Sequence, residues 1–422
     1  MSELAVIILA AGKGTRMKSE TPKVLHKVSG KTLLWHVLQT AKGLEPKKII
    51  TVVAPNSAEV EAAAEGTEIA IQEQQLGTGD AVKAGLNKLD GFEGNVVILY
   101  GDCPLIESET LKALIGRHKP GNISMLGFFA NNPTGYGRLI TRRNLVAEIV
   151  EQRDANPYQQ RIRLCNSGIY VLEAKLLTQL LEQVQSNNSQ KEYYLTDIVK
   201  IGTAQQIKTF YQTAPEEEVM GVNTKLDLAE VELTMQNRLR DKALLGGVTM
   251  IAPETVYLSM DTVFGNNVTL LPNVVIGENV VIGDDINVGP FAHLRAGTVL
   301  KNGSKIGNFV EVKKSEIGEN SKVNHLSYVG DSVLGSDVNI GAGTITCNYD
   351  GFNKSQTIIE DGVFIGSNSA LVAPVKIEKG AIVGAGSTIT KNVEADSLSL
   401  TRAEQKTLPG WAAKFRKKNK GK

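Results

Sequence analysis

Cysteine is scarce in this 422-residue chain, which contains only Cys103, Cys165 and Cys347. Their spacing matches no zinc site, and an odd number of cysteines cannot form a fully paired disulfide framework. The scarcity therefore excludes a disulfide scaffold and favours a reducing compartment. We expect all three to be small buried side chains.

An excess of one charge and a membrane-length apolar run are also missing. Lys and Arg number 46 and Asp and Glu number 45, so no strong field attracts nucleic acid or an anionic membrane. The first apolar run, residues 4–11, is too short to span a bilayer and leads into a glycine loop. These absences predict a cytoplasmic protein that binds no nucleic acid, inserts in no membrane, and works on small molecules or with copies of itself.

Residues 1–223 alternate short apolar runs with stretches of helical spacing, a pattern that predicts an α/β domain with a mostly parallel, Rossmann-like sheet. The predicted strands are 5–10, 48–54, 95–102 and 123–130, and the predicted helices are 32–44, 78–89 and 108–118. Ligands of such sheets bind beyond the carboxyl ends of the strands. Residues 224–245 mix aliphatic and charged residues without Gly or Pro, which predicts a linker helix.

A period of six residues dominates 246–396. The aliphatic positions are Ile276, Ile282, Val288, Leu294, Leu300, Ile306 and Val312, then Ile317, Val323 and Val329, then Leu334, Ile340 and Thr346, and finally Ile365, Leu371, Ile377, Val383 and Ile389. Such a period predicts a parallel β-helix of hexapeptide repeats, with three six-residue faces in each coil and the aliphatic residue inside. The polar stretch "ITCNYDGFNKS" (345–355) breaks the period and is predicted to project as a loop. Residues 397–422 form a C-terminal tail.

Three features of the first half favour a phosphate site. The turn "LAAGKGTRM" (9–17) follows a strand and combines free backbone N–H groups with Arg16, which suits an anion, although a plain tight turn fits it equally well. Lys23 follows on a proline-stiffened segment. Asp102 ends a buried strand, where a carboxylate can bind Mg²⁺ or, alternatively, cap the next helix.

These motifs resemble those of the sugar-1-phosphate nucleotidyltransferases, whose signature is Leu-x-x-Gly-x-Gly-Thr-Arg followed by Pro-Lys. With the hexapeptide half attached, the chain resembles the family of bifunctional N-acetylglucosamine-1-phosphate uridyltransferases and glucosamine-1-phosphate N-acetyltransferases. The resemblance implies acetyl transfer from acetyl-CoA to glucosamine 1-phosphate, then uridylyl transfer from UTP, which yields UDP-N-acetylglucosamine and pyrophosphate. It also implies a left-handed β-helix and a homotrimer.

For uridylyl transfer, the resemblance implies that Arg16 and Lys23 are catalytic and that Asp102 and Asn223 hold Mg²⁺. The residues it implies around UTP and UDP-N-acetylglucosamine are Leu9, Ala10, Ala11, Gly12, Lys23, Gln72, Gly77, Thr78, Tyr100, Gly101, Asp102, Gly137, Glu151, Asn166 and Asn223. Two of these have simpler readings, since Glu151 also fits a solvated hairpin and Asn223 also fits a cap of the linker helix.

For acetyl transfer, His325 is the candidate base, because histidine can take a proton near neutral pH; taken alone it also fits a surface position at a β-helix corner. The resemblance implies that His325 is this base, and it also implies which residues bind each of the two substrates. The implied contacts of glucosamine 1-phosphate are Arg295, Lys313, Tyr328 and Asn339. The implied contacts of acetyl-CoA are Ala342, Asn348, Tyr349, Ser367, Ala385 and Arg402. Asn348 and Tyr349 lie in the interrupting stretch, which we therefore expect to act as a lid that reaches the amino sugar.

Two alternatives remain at this stage. One is a monofunctional nucleotidyltransferase whose β-helix serves assembly or regulation, a reading that His325, Lys313 and Arg402 argue against. A purely structural scaffold is a third reading, against which the intact glycine loop, Lys23 and Asp102 argue.

Overall fold

The computed structural model describes residues 3–420 and divides into two compact units, Met1–Asn237 and Arg238–Lys422. The strands of the first unit are β1 (Leu4–Leu9), β2 (Lys27–Val28), β3 (Lys31–Thr32), β4 (Lys48–Val53), β5 (Glu68–Ile71), β6 (Asn95–Tyr100), β7 (Ile123–Phe129), β8 (Arg138–Arg142), β9 (Leu145–Val150), β10 (Leu164–Glu173) and β11 (Thr209–Thr213). Its helices are α1 (Leu33–Lys42), α2 (Ala58–Ala63), α3 (Thr78–Leu86), α4 (Ser108–Arg117), α5 (Ala174–Leu181) and α6 (Asp197–Ala204), and α7 (Lys225–Leu245) begins in this unit and ends in the next.

The main sheet of the first unit has the strand order β11-β7-β10-β6-β1-β4-β5. Strands β6, β1, β4 and β5 are mutually parallel, as predicted. Strand β10 runs antiparallel to both β6 and β7, and the β8–β9 hairpin pairs with its beginning, so the sheet is mixed. The apolar runs could not reveal this, because the direction of a buried strand leaves no mark on its composition.

The centre of the sheet fixes the position of the first candidate site. Strand β1 has buried Ala, Val, Ile and Leu side chains on both faces, as a central strand requires. It pairs with β6 up to Leu9↔Tyr100, so the loops that follow these two strands leave the sheet side by side. The turns Thr15–Met17 and Lys23–Leu25 then carry Arg16 and Lys23 over the same edge.

The second unit is a stack of short parallel strands. They are β12 (Thr249–Met250), β13 (Val263–Phe264), β14 (Thr269–Leu270), β15 (Val275–Ile276), β16 (Val281–Ile282), β17 (Asn287–Val288), β18 (His293–Leu294), β19 (Val299–Leu300), β20 (Lys305–Asn308), β21 (Glu311–Lys313), β22 (Glu316–Ile317), β23 (Lys322–His325), β24 (Tyr328–Gly330), β25 (Ser332–Leu334), β26 (Asn339–Ile340), β27 (Ile345–Cys347), β28 (Thr357–Ile359), β29 (Phe364–Ile365), β30 (Ala370–Val372), β31 (Val375–Ile377), β32 (Ile382–Val383), β33 (Thr388–Ile389) and β34 (Leu398–Ser399), followed by α8 (Trp411–Asn419). They form three sheets in which strands from successive coils pair. The predicted hexapeptide β-helix is confirmed.

Pairing registers explain the slips in the six-residue period. Regular coils pair residues 18 apart, as in Val288↔Ile306. Two coils are one residue shorter, so that Ile306 pairs with Val323 and Ile317 with Leu334. Every aliphatic position predicted to face inward is buried, because each lies at the same point of its coil.

The interrupting stretch is only partly a loop: residues 345–347 form β27, so the prediction was wrong for them, and residues 348–355 lie in the loop between β27 and β28. Across it, Ile340 pairs with Ile365, 25 residues away. The inward series returns at buried Ile359, one repeat earlier than the predicted return at Ile365. The prediction missed Ile359 because the neighbouring Ile358 masks the alternation; Ile358 points outward and is exposed.

Two further expectations concern cysteine and the membrane. Cys103 and Cys165 are buried, whereas Cys347, at the end of β27, is partly exposed, so the expectation of burial was wrong for Cys347. Within residues 3–420, no helix has both the length and the apolar character needed to cross a bilayer.

Candidate active sites

A cavity of about 580 Å³ opens at the carboxyl edge of β1 and β6. Most of the residues predicted around the nucleotide line it. They are Leu9, Ala10, Ala11, Gly12, Arg16, Lys23, Gln72, Gly77, Thr78, Tyr100, Asp102, Asn166 and Asn223. Gly101, Gly137 and Glu151 are not part of this lining; Gly101 packs against the Leu9 carbonyl and Val24 instead.

Charged and amide groups from distant segments meet in this cavity. The Lys23 ammonium forms an ion pair with Asp102 and lies 3.2 Å from Oδ1 of Asn223. Arg16 Nη2 donates to the same Asn223 oxygen at 2.9 Å. Two cations and two oxygen ligands thus share one edge of the sheet, an arrangement suited to a polyphosphate and a metal ion.

Gly14 lets the phosphate loop close over Lys23. Its φ is +61°, and a Cβ at this position would lie 2.7 Å from the Cβ of Lys23. A larger residue would suffer both backbone strain and a collision. The loop and the lysine therefore form one packed unit, which the sequence pattern alone did not show.

The segment that carries Gln72, Gly77 and Thr78 is held by its own side chains. Gln72 is buried, and its Nε2 donates to the Gly77 carbonyl at 2.9 Å and to Asp80 Oδ2 at 2.8 Å. Thr78 Oγ1 accepts a hydrogen bond from Leu195 N at 3.0 Å, which ties the start of α3 to the rest of the unit. The backbone around Gly77 and Thr78 is thus fixed before any ligand arrives.

Gly137, Glu151 and Asn166 come together through strand register. Arg138, which opens β8, pairs with Val150 of β9 and with Cys165 of β10, so the adjoining residues 137, 151 and 166 are neighbours. Asn166 N donates to the Gly137 carbonyl at 2.9 Å. A bulge between Asn166 and Tyr170 breaks the register of β10, a device that redirects side chains beside a site.

Burial shifts the pKa values of several groups around this cavity. Burial, and then the nearby Glu151 and Asp102, raise the pKa of Tyr100 far above its ordinary value, so this phenol stays protonated and can donate. Burial is also the main cause of the raised pKa of Glu151; a hydrogen bond from Thr196 opposes it. Burial and Asp102 raise the pKa of the Cys103 thiol, which leaves it neutral.

Asp102 and Asn223 are the oxygen donors predicted to hold the metal ion in this cavity. Residues 3–420 contain no group of three or more His, Cys, Asp or Glu side chains arranged to hold a metal ion. Asp102 and Asn223 nevertheless direct one oxygen each at the same cation, the Lys23 ammonium. The two oxygens therefore converge well enough for a hard divalent cation that keeps several water ligands.

In the second unit, His325 ends β23 and is exposed. Its Nδ1 lies 3.0 Å from Oδ1 of Asn308, the residue paired with it on the coil below. Because a carboxamide oxygen only accepts, Nδ1 carries the proton and Nε2 keeps its lone pair. An exposed imidazole in this tautomer is suited to act as a base.

Polar groups predicted to bind the sugar phosphate lie on the adjoining sheet. Arg295 Nη1 lies 2.8 Å from Glu311 Oε1, and Glu311 in turn pairs with Tyr328 in the next coil. Lys313 lies on the same strand as Glu311 and is half-buried. Asn339 lies apart from them, on the sheet of His325, where it pairs with Lys322. No hydrogen bond joins His325 to Arg295, Lys313 or Asn339 in the described part of the chain.

The loop after β27 returns towards Tyr328. Asn348 Nδ2 lies 3.4 Å from the Tyr328 hydroxyl and also donates to Asp331. Asp350 accepts from two backbone N–H groups of the loop, which makes the loop a structured hairpin. Tyr349 beside it is exposed, with its hydroxyl bonded to the Gly351 carbonyl.

The residues predicted to bind acetyl-CoA lie along one corner of the β-helix, in successive coils. Pairing of Ile340 with Ile365 and of Ile365 with Val383 places Ala342, Ser367 and Ala385 at equivalent points of successive coils. Arg402 Nη1 donates to the Ala385 carbonyl at 2.8 Å and continues the series. The Gly343 N–H donates to the His325 carbonyl at 3.3 Å, which places the foot of this column beside the candidate base.

Several residues that position these groups escaped the sequence analysis, namely Asp80, Thr196, Asn308, Glu311 and Asp331. A signal existed for one of them. Asn308 lies 17 residues before His325, which is the length of a short coil. Thr196 and Asp80 act across loops of no fixed spacing, so no pattern in the sequence indicates them.

Comparison with known proteins identifies the family. A MobA-like NTP transferase domain matches residues 6–161, a GMPPB C-terminal domain matches 241–349, and six bacterial transferase hexapeptide repeats match 356–391. A bifunctional protein GlmU from Parvibaculum lavamentivorans is 48% identical over 438 residues, which cover 99% of this chain and 97% of the relative. The chain belongs to the GlmU family.

Other GlmU proteins agree with this assignment. The one from Paramagnetospirillum magneticum is 45% identical across 98% of this chain and 97% of its own length, and the one from Streptococcus pyogenes is 44% identical across 97% of each. GlmU enzymes join a uridyltransferase to an acetyltransferase in UDP-N-acetylglucosamine synthesis, and this chain is a bifunctional enzyme of that kind. The family and its nucleotidyltransferase domain imply a divalent metal ion.

Proposed function

We propose that the first unit transfers uridylyl groups through the cluster of Arg16, Lys23, Asp102 and Asn223, and that the second unit transfers acetyl groups with His325 as the base. The observation that carries the first assignment is the meeting of two cations and two oxygen ligands at one sheet edge. The observation that carries the second is the hydrogen bond from His325 to Asn308, which leaves Nε2 free.

Uridylyl transfer needs no base from the protein. A phosphate oxygen of N-acetylglucosamine 1-phosphate is already anionic at neutral pH; it attacks the α-phosphorus of UTP, and pyrophosphate leaves. Negative charge accumulates on the transferred group, and Arg16 and Lys23 stabilise it. Residues 10–12 line the same cavity. The Ala10 N–H is bonded to the Val52 carbonyl at 2.8 Å, so the N–H groups that we propose for the phosphates are those of Ala11 and Gly12.

Mg²⁺ is the metal ion that we propose for this site. Asp102 and Asn223 would hold it, because their oxygens converge on a single cation and oxygen donors suit Mg²⁺. When bound, the ion supplies charge neutralisation to the phosphates. Lys23 contacts both oxygens in this structure, so its ammonium would yield this place to the ion; we propose that it then binds the leaving phosphates.

The other residues predicted to bind the nucleotide sugar lie in the first cavity or beside it, and we divide them into a uracil side and a sugar side. Gln72, Gly77 and Thr78 form the segment that we propose for the uracil ring, since their backbone is fixed by Asp80 and Leu195. Gly137, Glu151 and Asn166 form the side that we propose for the sugar hydroxyl groups. Tyr100, kept protonated by its surroundings, offers a donor between them.

In acetyl transfer, the amino nitrogen of glucosamine 1-phosphate attacks the thioester carbonyl of acetyl-CoA while Nε2 of His325 takes its proton. The C–S bond of the tetrahedral intermediate then breaks, and CoA leaves as the thiol with the proton that His325 returns. The Asn308 oxygen holds the ring in the required tautomer. We propose that Arg295 and Lys313 bind the sugar phosphate and that Tyr328 and Asn339 bind the sugar. Asn348, Tyr349 and the column of Ala342, Ser367, Ala385 and Arg402 are the proposed contacts of acetyl-CoA.

A homotrimer is the proposed assembly, and it is supported by an exposed apolar ladder formed by Phe291, Phe309 and Leu326. The two phenyl rings stack with centroids 5.3 Å apart, and all three side chains are more than half exposed. Their φ angles are +53°, +55° and +52°, a conformation that bulky residues rarely adopt. A packed copy of the chain would cover the ladder, which adjoins His325. A cytoplasmic location stays a prediction.

Reciprocal substitutions test the division of labour. With glucosamine 1-phosphate and acetyl-CoA, we expect His325→Ala to lower CoA release by about 10²- to 10⁴-fold, the usual contribution of a base. Pyrophosphate release from UTP and N-acetylglucosamine 1-phosphate should be unchanged. Asp102→Ala should do the reverse.

His293→Ala is the matched control, because His293 is an exposed histidine of the same β-helix. Equal loss of both activities in the His325 variant would contradict the two-site assignment. Intact CoA release in that variant would favour the alternative of a nucleotidyltransferase with a structural or regulatory β-helix.

A further inference from the structure

Arg138 is a buried cation that the proposed chemistry does not use. Only 1% of its surface is exposed. Its guanidinium donates to the carbonyl oxygen of Tyr136, to Gln152 Oε1 at 2.7 Å and to the carbonyl oxygen of Gln160 at 3.3 Å, all of them neutral acceptors. Its Nε has no partner. Burying a guanidinium against neutral groups carries a large desolvation penalty, so a folding role alone is a poor explanation.

The position of Arg138 in the sheet suggests what it does. It pairs with Val150 on one side and with Cys165 on the other. The neighbours of these three residues in the chain form the proposed sugar side. Gly137 precedes Arg138, Glu151 follows Val150, and Asn166 follows Cys165. Among the described residues of β8, Arg138 is the position that pairs with both β9 and β10.

The bonds of Arg138 join two loops that no strand pairing holds. Tyr136 belongs to the segment before β8, and Gln152 and Gln160 belong to the long connection between β9 and β10. Gln152 Oε1 also accepts from Gly135 N at 3.2 Å, which extends the link to the preceding turn. Most of the β9–β10 connection is exposed, and the bonds from Arg138 tie Gln152 and Gln160 of this connection to a buried side chain.

Arg138 does not line the cavity, and its contacts with the site run through these neighbours. We propose that Arg138 is a positioning residue of the uridylyl site, which clamps the 133–137 and 151–161 segments so that Gly137, Glu151 and Asn166 close around the sugar of N-acetylglucosamine 1-phosphate. This inference rests on the proposed function of the first unit.

The planar guanidinium is essential to this role. It reaches three acceptors in different directions, whereas a lysine ammonium has one centre and cannot span them. Arg138→Lys therefore keeps the charge and removes the clamp. Gln152→Leu removes one acceptor of the clamp and leaves the arginine itself unchanged.

The test measures pyrophosphate release by the full chain, with each substrate varied in turn. We expect Arg138→Lys to raise the KM for N-acetylglucosamine 1-phosphate by about tenfold and to change the KM for UTP by less than about twofold. Gln152→Leu should shift the same KM in the same direction by a smaller factor. Arg142→Lys is the matched control, an exposed arginine of the same strand, and should behave as the wild type.

Three outcomes would overturn the clamp. The KM for the sugar phosphate could stay unchanged in both variants, or both KM values could rise equally, which would indicate general structural damage. If Arg138→Lys does not fold, Gln152→Leu is tested alone. An unchanged KM for N-acetylglucosamine 1-phosphate in Gln152→Leu is then the third outcome that overturns the clamp. A wild-type chain that releases no pyrophosphate would instead refute the proposed function itself.

Discussion

At the scale of single residues, Lys23 joins segments that are far apart in the chain. Its ammonium contacts Asp102 after β6 and Asn223 before α7, and its Cβ packs under Gly14. A short proline-bounded turn thus holds together the phosphate loop and the proposed metal ligands. The Lys23 side chain therefore both supplies a positive charge to the cavity and holds these segments in place.

Asn308 offers a sharp test of how His325 is held. Asn308→Ala removes the acceptor at Nδ1, so the ring can rotate or change tautomer, and we expect CoA release to fall on the order of tenfold or more. Asn308→Asp keeps an acceptor at the same place and should retain most of the activity. Steady-state rates of CoA release measure both. Equal rates in the two variants would show that the hydrogen bond does not matter.

Glu151 links the proposed sugar side to the pH dependence of stability. Burial raises its pKa, Asp154 and Asp197 add to the effect, and the Thr196 hydrogen bond and Arg138 oppose it. The folded state therefore binds the proton more tightly than the unfolded chain does. Its contribution to stability is present at low pH and is lost as the pH rises through the folded pKa.

Glu151→Gln is neutral at every pH and avoids this loss. We expect the variant to melt at a higher temperature than the wild type at about pH 8 and the difference to vanish towards about pH 4. Pyrophosphate release should fall, because a proposed sugar contact is altered. Glu148→Gln, on β9 three residues before Glu151, is the control in the same thermal scans. A lower melting temperature for Glu151→Gln at about pH 8 would contradict the assignment.

At the scale of elements, the loop after β27 is separable from the coils that carry it. It adds seven residues to a coil, since Ile340 pairs with Ile365 where a regular coil would need only 18 residues. The strands on both sides remain in register with their neighbours. The β-helix therefore does not depend on the loop for its own pairing.

Deletion of residues 348–354 restores a regular coil. We expect the variant to keep its β-sheet circular dichroism and its melting temperature, because no inward side chain is removed. CoA release should fall by about 100-fold or more, because Asn348 and Tyr349 are lost with the lid. Pyrophosphate release in the same sample is the internal control. A deletion variant that still acetylates normally would exclude a role for the loop.

The elements were largely predictable because their signals are local. A six-residue period, with two slips of one residue, marks the predicted inward positions of the coils, although it missed Ile359, and apolar runs mark β1, β4, β6 and β7. The antiparallel insertion of β10 was not predictable, because pairing direction is decided between distant segments. The same holds for the candidate sites. Local family motifs predicted Lys23 and Asp102, whereas Thr196 and Asp331 could not be predicted because they act through contacts that only the fold creates.

At the scale of the whole molecule, the proposed trimer can be tested through the apolar ladder. Phe309→Asp puts a charge beside Phe291 and into the surface that a second copy would bury. We expect analytical ultracentrifugation to show a shift from trimer to monomer and CoA release to fall with it, while pyrophosphate release persists. Leu226→Asp, at an exposed position of α7 outside the ladder, is the control. A trimer unaffected by Phe309→Asp would place the contact elsewhere.

The stacking of coils also has a consequence for how this protein can change over generations. Each coil contacts only the coils directly above and below it, and inward residues repeat at a constant interval. Gain or loss of a whole coil below Arg295 therefore leaves the acetyl-transfer groups in phase with one another. A change within a coil is tolerated where it falls between strands, as in the two coils that are one residue shorter and in the loop after β27. Length can thus vary by whole coils or between strands, while the chemistry above stays aligned.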